Sequence, residues 1–200
     1  MFSPLTKQLT EALRALPGVG PKTAARMAFQ LLSEKGRQKG EVLADTLKNA
    51  LTHVKHCERC RQFTETPLCQ LCANPKRDHS ILCVIENPAD VMALEQTFAY
   101  SGLYFILHGH LSPLDGITPK DIGIPILLER LANNNVIHEV ILATNPTAEG
   151  RATAQYIMSR IDTKKIKCTQ LAHGIPIGGE LEYMDGGTLA HAIYSRVTVG

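Results

Sequence analysis

The stretch CERCRQFTETPLCQLC, residues 57–72, constrains this chain more than any other. Its pattern is Cys57-x2-Cys60-x8-Cys69-x2-Cys72. Two Cys-x-x-Cys pairs at this separation let four thiolates converge on one tetrahedral Zn²⁺. The intervening loop is shorter than in many zinc ribbons, yet long enough for a compact finger. Redox dithiols are the competing reading, but they come singly and on a thioredoxin-like βαβ unit. Four cysteines fill the tetrahedral shell and leave no open position. The spacing therefore predicts one Zn²⁺ per chain that holds structure and does no catalysis. His53 and His56, just before the cluster, read as surface residues. Cys83 and Cys168 lie inside the apolar runs HSILCVIE and KIKCTQLA and read as buried small apolar residues.

Ahead of the finger, Leu5, Leu9, Leu13 and Leu16 form a helical stripe. Pro17-Gly18 and Gly20-Pro21 interrupt it, and the helix restarts through AARMAF. A helix that follows such a turn begins with free backbone N–H groups and a positive dipole end. Gly18 and Gly20 allow close approach, so the N–H groups can hold a phosphate. Lys22 and Arg26, four apart, share a helical face and add charge. The stretch LPGVGPK resembles the helix-hairpin-helix DNA-binding motif, against the alternative of an ordinary αα-turn. A Walker A loop is a weaker competitor, because Pro21 separates Gly20 from Lys22 and no strand precedes them. A further amphipathic helix is expected from Gly40 to Val54, with Val42, Leu43, Leu47 and Leu51 turned inward.

From residue 80 the pattern becomes alternating strand and helix. SILCVIE, LYFILHG, VIHEVILAT and IKCTQLA read as strands. PADVMALEQTFAYSG, IPILLERLANN and AEGRATAQYIMSRI read as helices. That order predicts a small parallel α/β sheet with helices on its faces. GIPIGG, residues 174–179, reads as a linker before a last helix, GTLAHAIYSR. Asp185 reads as the cap of that helix.

Charge is divided along the chain. Residues 1–77 carry 13 Lys and Arg against 6 Asp and Glu, whereas residues 78–200 carry 8 against 13. A basic front suits a polyanion. Arg59, Arg61, Lys76 and Arg77, around the finger, are further candidates for DNA contact. No run of 18 apolar residues indicates a membrane span. MFSPLTKQL lacks the pattern of a signal peptide, so a cytoplasmic location is expected, where disulfides are rare.

Glu86 at a strand end, with the turn ATNPTAEGR, resembles the Toprim domain of topoisomerases and bacterial primases. In its catalytic members the first strand ends in Glu and a later turn carries Asp-x-Asp, and these acids hold Mg²⁺ beside a phosphodiester. Here the two Asp positions hold Asn145 and Thr147, both neutral, and Arg151 follows Glu149-Gly150. Mg²⁺ affinity should then fall sharply, and the domain is expected to be a scaffold. A metal-dependent Toprim nuclease or primase-like enzyme is the alternative.

The order of modules, with CERCRQFTETPLCQLC, GHLSPLDGI and HGIPIGGELEYMDGGTLAHAI, is similar along the whole chain to the RecR family of recombination mediators. The resemblance implies a multi-module α/β chain. A helix-hairpin-helix region spans 1–53, a four-cysteine zinc finger 54–77, a Toprim domain 78–173 and a C-terminal linker and helix 174–200. It implies a bacterial, non-enzymatic DNA-repair protein that works with RecO and RecF. Such proteins help load RecA at single-stranded gaps. It further implies a homo-oligomer, a dimer or a tetrameric ring, that binds DNA without regard to sequence. Gly18, Gly20, Lys22 and Arg26 would carry the DNA contact, and Glu86 and Glu149 a docking contact. Family descriptions call the region of Asp185 Walker B-like, but the chain offers no Walker A partner.

Overall fold

A computed structural model describes residues 2–172, 174–176 and 178–196. The chain forms two compact units, Met1–Val54 and Lys55–Gly200. Among the described residues no helix is long and apolar enough to cross a membrane.

The first unit is three helices. Helix α1, Pro4–Arg14, opens with Ser3 as cap and proline at its start, the position where a missing N–H costs nothing. Helix α2, Pro21–Leu32, begins earlier than the restart at Ala24 suggested. Helix α3, Glu34–His53, begins six residues before the expected Gly40. Ser33 explains this early start, because it ends α2 and caps α3 together. Its hydroxyl donates to the Gln30 carbonyl at 2.8 Å and accepts the Gly36 N–H at 3.1 Å. Gly36 sits so close to the end of α2 that a Cβ there would overlap the Gln30 carbonyl. Gly36 is what lets the two helices turn tightly.

This unit has little core of its own. Ala24 and Ala28 are its fully buried apolar residues. The α3 stripe of Val42, Leu43, Leu47 and Leu51 is 50–77% exposed and does not face inward as its periodicity suggested. The amphipathic pattern is present, but no described element of this chain covers it.

The second unit holds the finger, a sheet and a C-terminal helix. In the finger, strands β1, Lys55–His56, and β2, Phe63–Thr64, pair antiparallel, and the short helix α4, Gln70–Ala73, follows. The sheet contains β3, Asp78–Ile85, β4, Gly102–Ile106, β5, Glu139–Leu142, and β6, Lys167–Gln170. Its order is β4-β3-β5-β6 and all its pairings are parallel. Helices α5, Pro88–Glu95, α6, Ile124–Ala132, and α7, Ala148–Met158, connect the strands. Because side chains alternate along a strand, Leu82 and Val84 of β3 pack with Leu127 of α6 and Ile157 of α7 on one face. Cys83 and Ile85 pack with Val91 of α5 and Leu71 of the finger on the other. Cys83 is buried as expected, and burial raises its thiol to about 12, so it stays an uncharged filler. Cys168, near the sheet edge, is only partly buried.

Helix α8, Gly186–Tyr194, has Asp185 as its cap, with the carboxylate accepting the Thr188 N–H at 2.9 Å. Of the expected linker, residue 177 lies outside the described residues, as do 173 and 197–200. Gly178, at φ +83°, occupies the left-handed region, and the Gly179 N–H reaches back to the Pro176 carbonyl.

Candidate functional site

Three sites can be built from these elements: the cysteine cluster, the crevice at the top of the sheet, and the hairpin of the first unit.

The four finger cysteines are buried, and their sulfur atoms lie within 4.8 Å of one another. A tetrahedral Zn²⁺ with bonds near 2.3 Å separates its sulfurs by roughly 3.8 Å, so the cluster fits the ion. The backbone supports it. The Cys69 N–H donates to Cys57 Sγ at 3.3 Å, and the Gln62 N–H to Cys60 Sγ at 3.4 Å. Burial alone would raise the Cys57 thiol, but backbone N–H groups, that of Cys69 first, lower it to about 7. Cys60 is pushed far up, first by sharing a proton with Cys72 and then by burial. Four adjacent thiols cannot all ionise alone; a divalent cation removes that conflict. Cys57, Cys60, Cys69 and Cys72 thus make a closed structural zinc site.

The finger is bound to the edge of the sheet. The Ile106 N–H of β4 donates to the Cys60 carbonyl at 2.9 Å. Arg61, held at φ +65°, donates through one nitrogen to the carbonyls of Ile106, Leu107 and Ile122. A side chain at Gly123 would collide with this guanidinium. Arg130 of α6 donates to the Arg59 carbonyl at 2.6 Å and the Tyr104 carbonyl at 3.1 Å. The finger therefore covers a strand edge that would otherwise present unpaired backbone groups. Arg77 is also internal. Its guanidinium makes a bidentate pair with Glu95 at 2.9 and 2.7 Å, and its Nε donates to the Gly102 carbonyl. The expectation that Arg61 and Arg77 could serve DNA is corrected: both point into the protein and hold structure. Arg59 and Lys76 are exposed.

The sheet order places a switch point between β3 and β5, where α/β proteins put their ligand sites. Glu86, just past β3, and Asn145, past β5, face each other across it. Glu86 is 2% exposed. One of its carboxylate oxygens accepts the Asn145 backbone N–H at 2.8 Å, and the other the Asn145 side-chain amide at 2.7 Å. His110 Nδ1 lies 3.4 Å from the second oxygen. Thr147 caps α7, its hydroxyl accepting the Gly150 N–H at 3.1 Å. Both residues at the expected Asp positions thus have neutral structural tasks. Glu149 is exposed in the first turn of α7, and Arg151 donates to the Pro146 carbonyl at 2.7 Å. Sequence reasoning did not single out Gly150. A Cβ there would overlap the Asn145 carbonyl and press on Glu86. The Glu-Gly that follows the turn was the available signal.

In the hairpin, Gly18 takes φ +76°, and the Val19 N–H closes the turn on the Leu16 carbonyl at 3.1 Å. Gly20 is the cap of α2 and has no side chain to offer, and Pro21 follows it. The first N–H bonded within α2 is that of Ala24, to the Gly20 carbonyl. The N–H groups of Lys22 and Thr23 are left for an outside acceptor. Lys22 and Arg26 are exposed, and the first turn of α2 contains no acid.

Comparison with known proteins divides the chain in the same sense. Family models match residues 6–51 as the RecR helix-hairpin-helix, 54–74 as the RecR four-cysteine zinc finger domain, 80–172 as a Toprim domain and 174–197 as the RecR C-terminal region. The recombination protein RecR of Coxiella burnetii is 62% identical over 199 residues, 100% of this chain and 98% of that one. The recombination protein RecR of Saccharophagus degradans is 55% identical over 196 residues, 98% of each. The hairpin, the closed cysteine cluster and the Toprim sheet follow one another in the order of these models, and the chain belongs to the RecR family.

Proposed function

We propose that this protein is a DNA-binding recombination mediator in DNA repair that catalyses no reaction itself. The observation that carries the reading is the start of α2. Unpaired N–H groups, a positive helix end, Lys22 and Arg26 converge on one exposed spot, and that spot suits phosphate oxygens and not base edges. Phosphate contacts position a protein without reading sequence, as repair at arbitrary gaps requires.

The Toprim crevice supports the non-enzymatic part. A metal-dependent nuclease or primase needs carboxylates free to hold Mg²⁺. Here Glu86 is buried and both its oxygens are engaged by an amide residue. The domain then serves as a docking scaffold. Glu149 is the exposed acid of the turn, and Glu86 contributes by fixing the turn that presents it. RecO and RecF are the partners this reading assigns, with RecA loading as the outcome and the cytoplasm as the place. A homo-oligomer follows from the exposed α3 stripe: a second copy, in a dimer or a tetrameric ring, would cover Leu43, Leu47 and Leu51. Several hairpins in one assembly would also add contacts through effective concentration.

The test is RecA assembly on single-stranded DNA coated with single-strand-binding protein, with RecO present. Adding the chain should shorten the lag of assembly. An unchanged lag at stoichiometric protein would contradict the reading.

A further inference from the structure

One surface of the finger has no part in the zinc site or in the hairpin contact. His56 and Phe63 are cross-strand partners in the β1–β2 ribbon, and their rings lie 5.3 Å apart. His108, from the loop after β4, stacks on His56 with centroids 4.6 Å apart and planes within 22°. It also meets Phe63 at 5.1 Å. His108 is not a loose loop residue. It is held at φ +61°, and its Nε2 donates to the Arg61 carbonyl at 2.7 Å. The three rings are therefore fixed from below by the same arginine segment that fixes the finger.

From above, His56 and Phe63 are open and His108 is partly buried. Phe63 is 54% exposed, and His56 is exposed too. A phenylalanine on a two-stranded ribbon with nothing over it gains little for the fold. The exposed charges of residues 54–77 are Lys55, Arg59 and Lys76 against Glu58 and Glu65, a small positive excess. The Arg61 guanidinium, whose charge lowers the His56 value after burial and His108, is partnered by carbonyls only and forms no ion pair among the described residues. Flat rings with two exposed faces, near a cation without an ion pair and beside exposed Lys55 and Arg59, fit a flat partner attached to a polyanion.

We propose that His56, Phe63 and His108 form a stacking platform on the zinc finger that takes unpaired bases of single-stranded DNA. Bases in a duplex are already stacked on one another and offer only their edges. A platform of this kind therefore works on single strands and gapped ends alone, and it tolerates any sequence because every base has a π-face. The proposal rests on the reading of this chain as a DNA-binding protein. It adds the form of DNA: the α2 hairpin binds phosphates of either form, and the platform adds preference for the single strand.

The chain contains no tryptophan, so Phe63→Trp would place a lone reporter on the platform. The full-length protein would be titrated with an oligothymidine and with a duplex of equal length, with anisotropy of the labelled DNA read alongside tryptophan emission. The single strand should quench the Trp as the anisotropy saturates, and the duplex should leave it nearly unchanged. Phe63→Ala should weaken single-strand binding about tenfold, in line with the loss of one base–aromatic stack. Duplex affinity, zinc content and oligomer size should stay as in the wild type. Saturated single-strand binding without quenching would overturn the proposal. So would a Phe63→Ala variant that loses single-strand and duplex binding equally, or one that changes oligomer size, which would make the rings a protein interface. Lys22→Ala separates this result from the hairpin reading, since it should weaken both DNA forms and leave quenching at saturation intact.

Discussion

Asn145 grips Glu86 twice, with its backbone N–H on one carboxylate oxygen and its side-chain amide on the other. The residue that replaces a metal-binding acid has become the donor that satisfies the remaining acid. A buried carboxylate without partners is costly, and two charge-assisted bonds offset that cost. Both oxygens of the buried carboxylate thus have donors from Asn145.

Two variants test this relationship. Asn145→Asp removes a donor and sets a second carboxylate against Glu86, and like charges at such range are unfavourable. It should lower the unfolding free energy by about 2–4 kcal/mol in urea melts at neutral pH. Glu86→Gln should cost about 1–3 kcal/mol, because the bonds to Asn145 lose their charge. The wild type should neither cut nor join DNA in Mg²⁺ or Mn²⁺. Cleavage that follows the protein through purification and vanishes in Glu86→Gln would contradict the account.

The zinc site predicts composition and mechanics together. Fresh reduced protein should contain about one Zn²⁺ per chain by metal analysis. Cys72→Ser should lose zinc and lower stability, since metal binding and local folding are coupled. Arg61→Ala should retain zinc, yet lose about 2 kcal/mol or more, because three carbonyls lose their shared donor. A variant without Arg61 that melts like the wild type would show that the finger is not held by this side chain.

Acid should weaken one identified pair. The Arg77 guanidinium, and after it the Tyr104 hydroxyl, holds Glu95 below its usual value of 4.5 against the opposing effect of burial. A carboxylate with a depressed folded value contributes stability above its unfolded value and loses it as pH falls through the depressed one. Glu95→Gln should therefore be less stable than the wild type at pH 7. The two urea midpoints should converge as pH falls below the depressed value of Glu95. A gap that persists undiminished in acid would assign the effect to packing and not to charge.

The exposed α3 stripe predicts assembly. Leu43→Glu with Leu47→Glu should reduce the oligomer to a smaller species in light scattering while α3 stays helical, since both sites are on the surface of a single chain. Unchanged mass would show that the stripe is not the contact.

Much of this was legible in the sequence, for physical reasons that differ by element. The cysteine spacing is a direct statement of ligand geometry, so the finger could be read residue by residue. The sheet was legible because buried parallel strands are continuous apolar runs. Asp185 was readable as a cap because an acid before Gly-Gly-Thr has a local partner in the Thr188 N–H. The start of α3 was not legible, because Gly36 serves a helix crossing that only three-dimensional packing reveals. Nor were the roles of Arg61 and Arg77. Their charge implied solvent or DNA, but their partners, the carbonyls of 106, 107 and 122 and the carboxylate of Glu95, are remote in sequence. The α3 stripe showed its period truthfully, yet periodicity cannot say whether the covering surface belongs to the same chain.

The most direct measurement is the salt dependence of DNA binding by the wild type, Lys22→Ala and Arg26→Ala, with RecO present and a duplex of fixed length. Each phosphate contact should steepen the dependence of log K on log salt by roughly 0.9. Lys22→Ala should flatten the slope by about one for each chain engaged and weaken all sequences alike, and Arg26→Ala should do the same. If both variants stay folded and oligomeric and keep the affinity and slope of the wild type, the α2 hairpin is not the phosphate contact and the account is wrong at its centre.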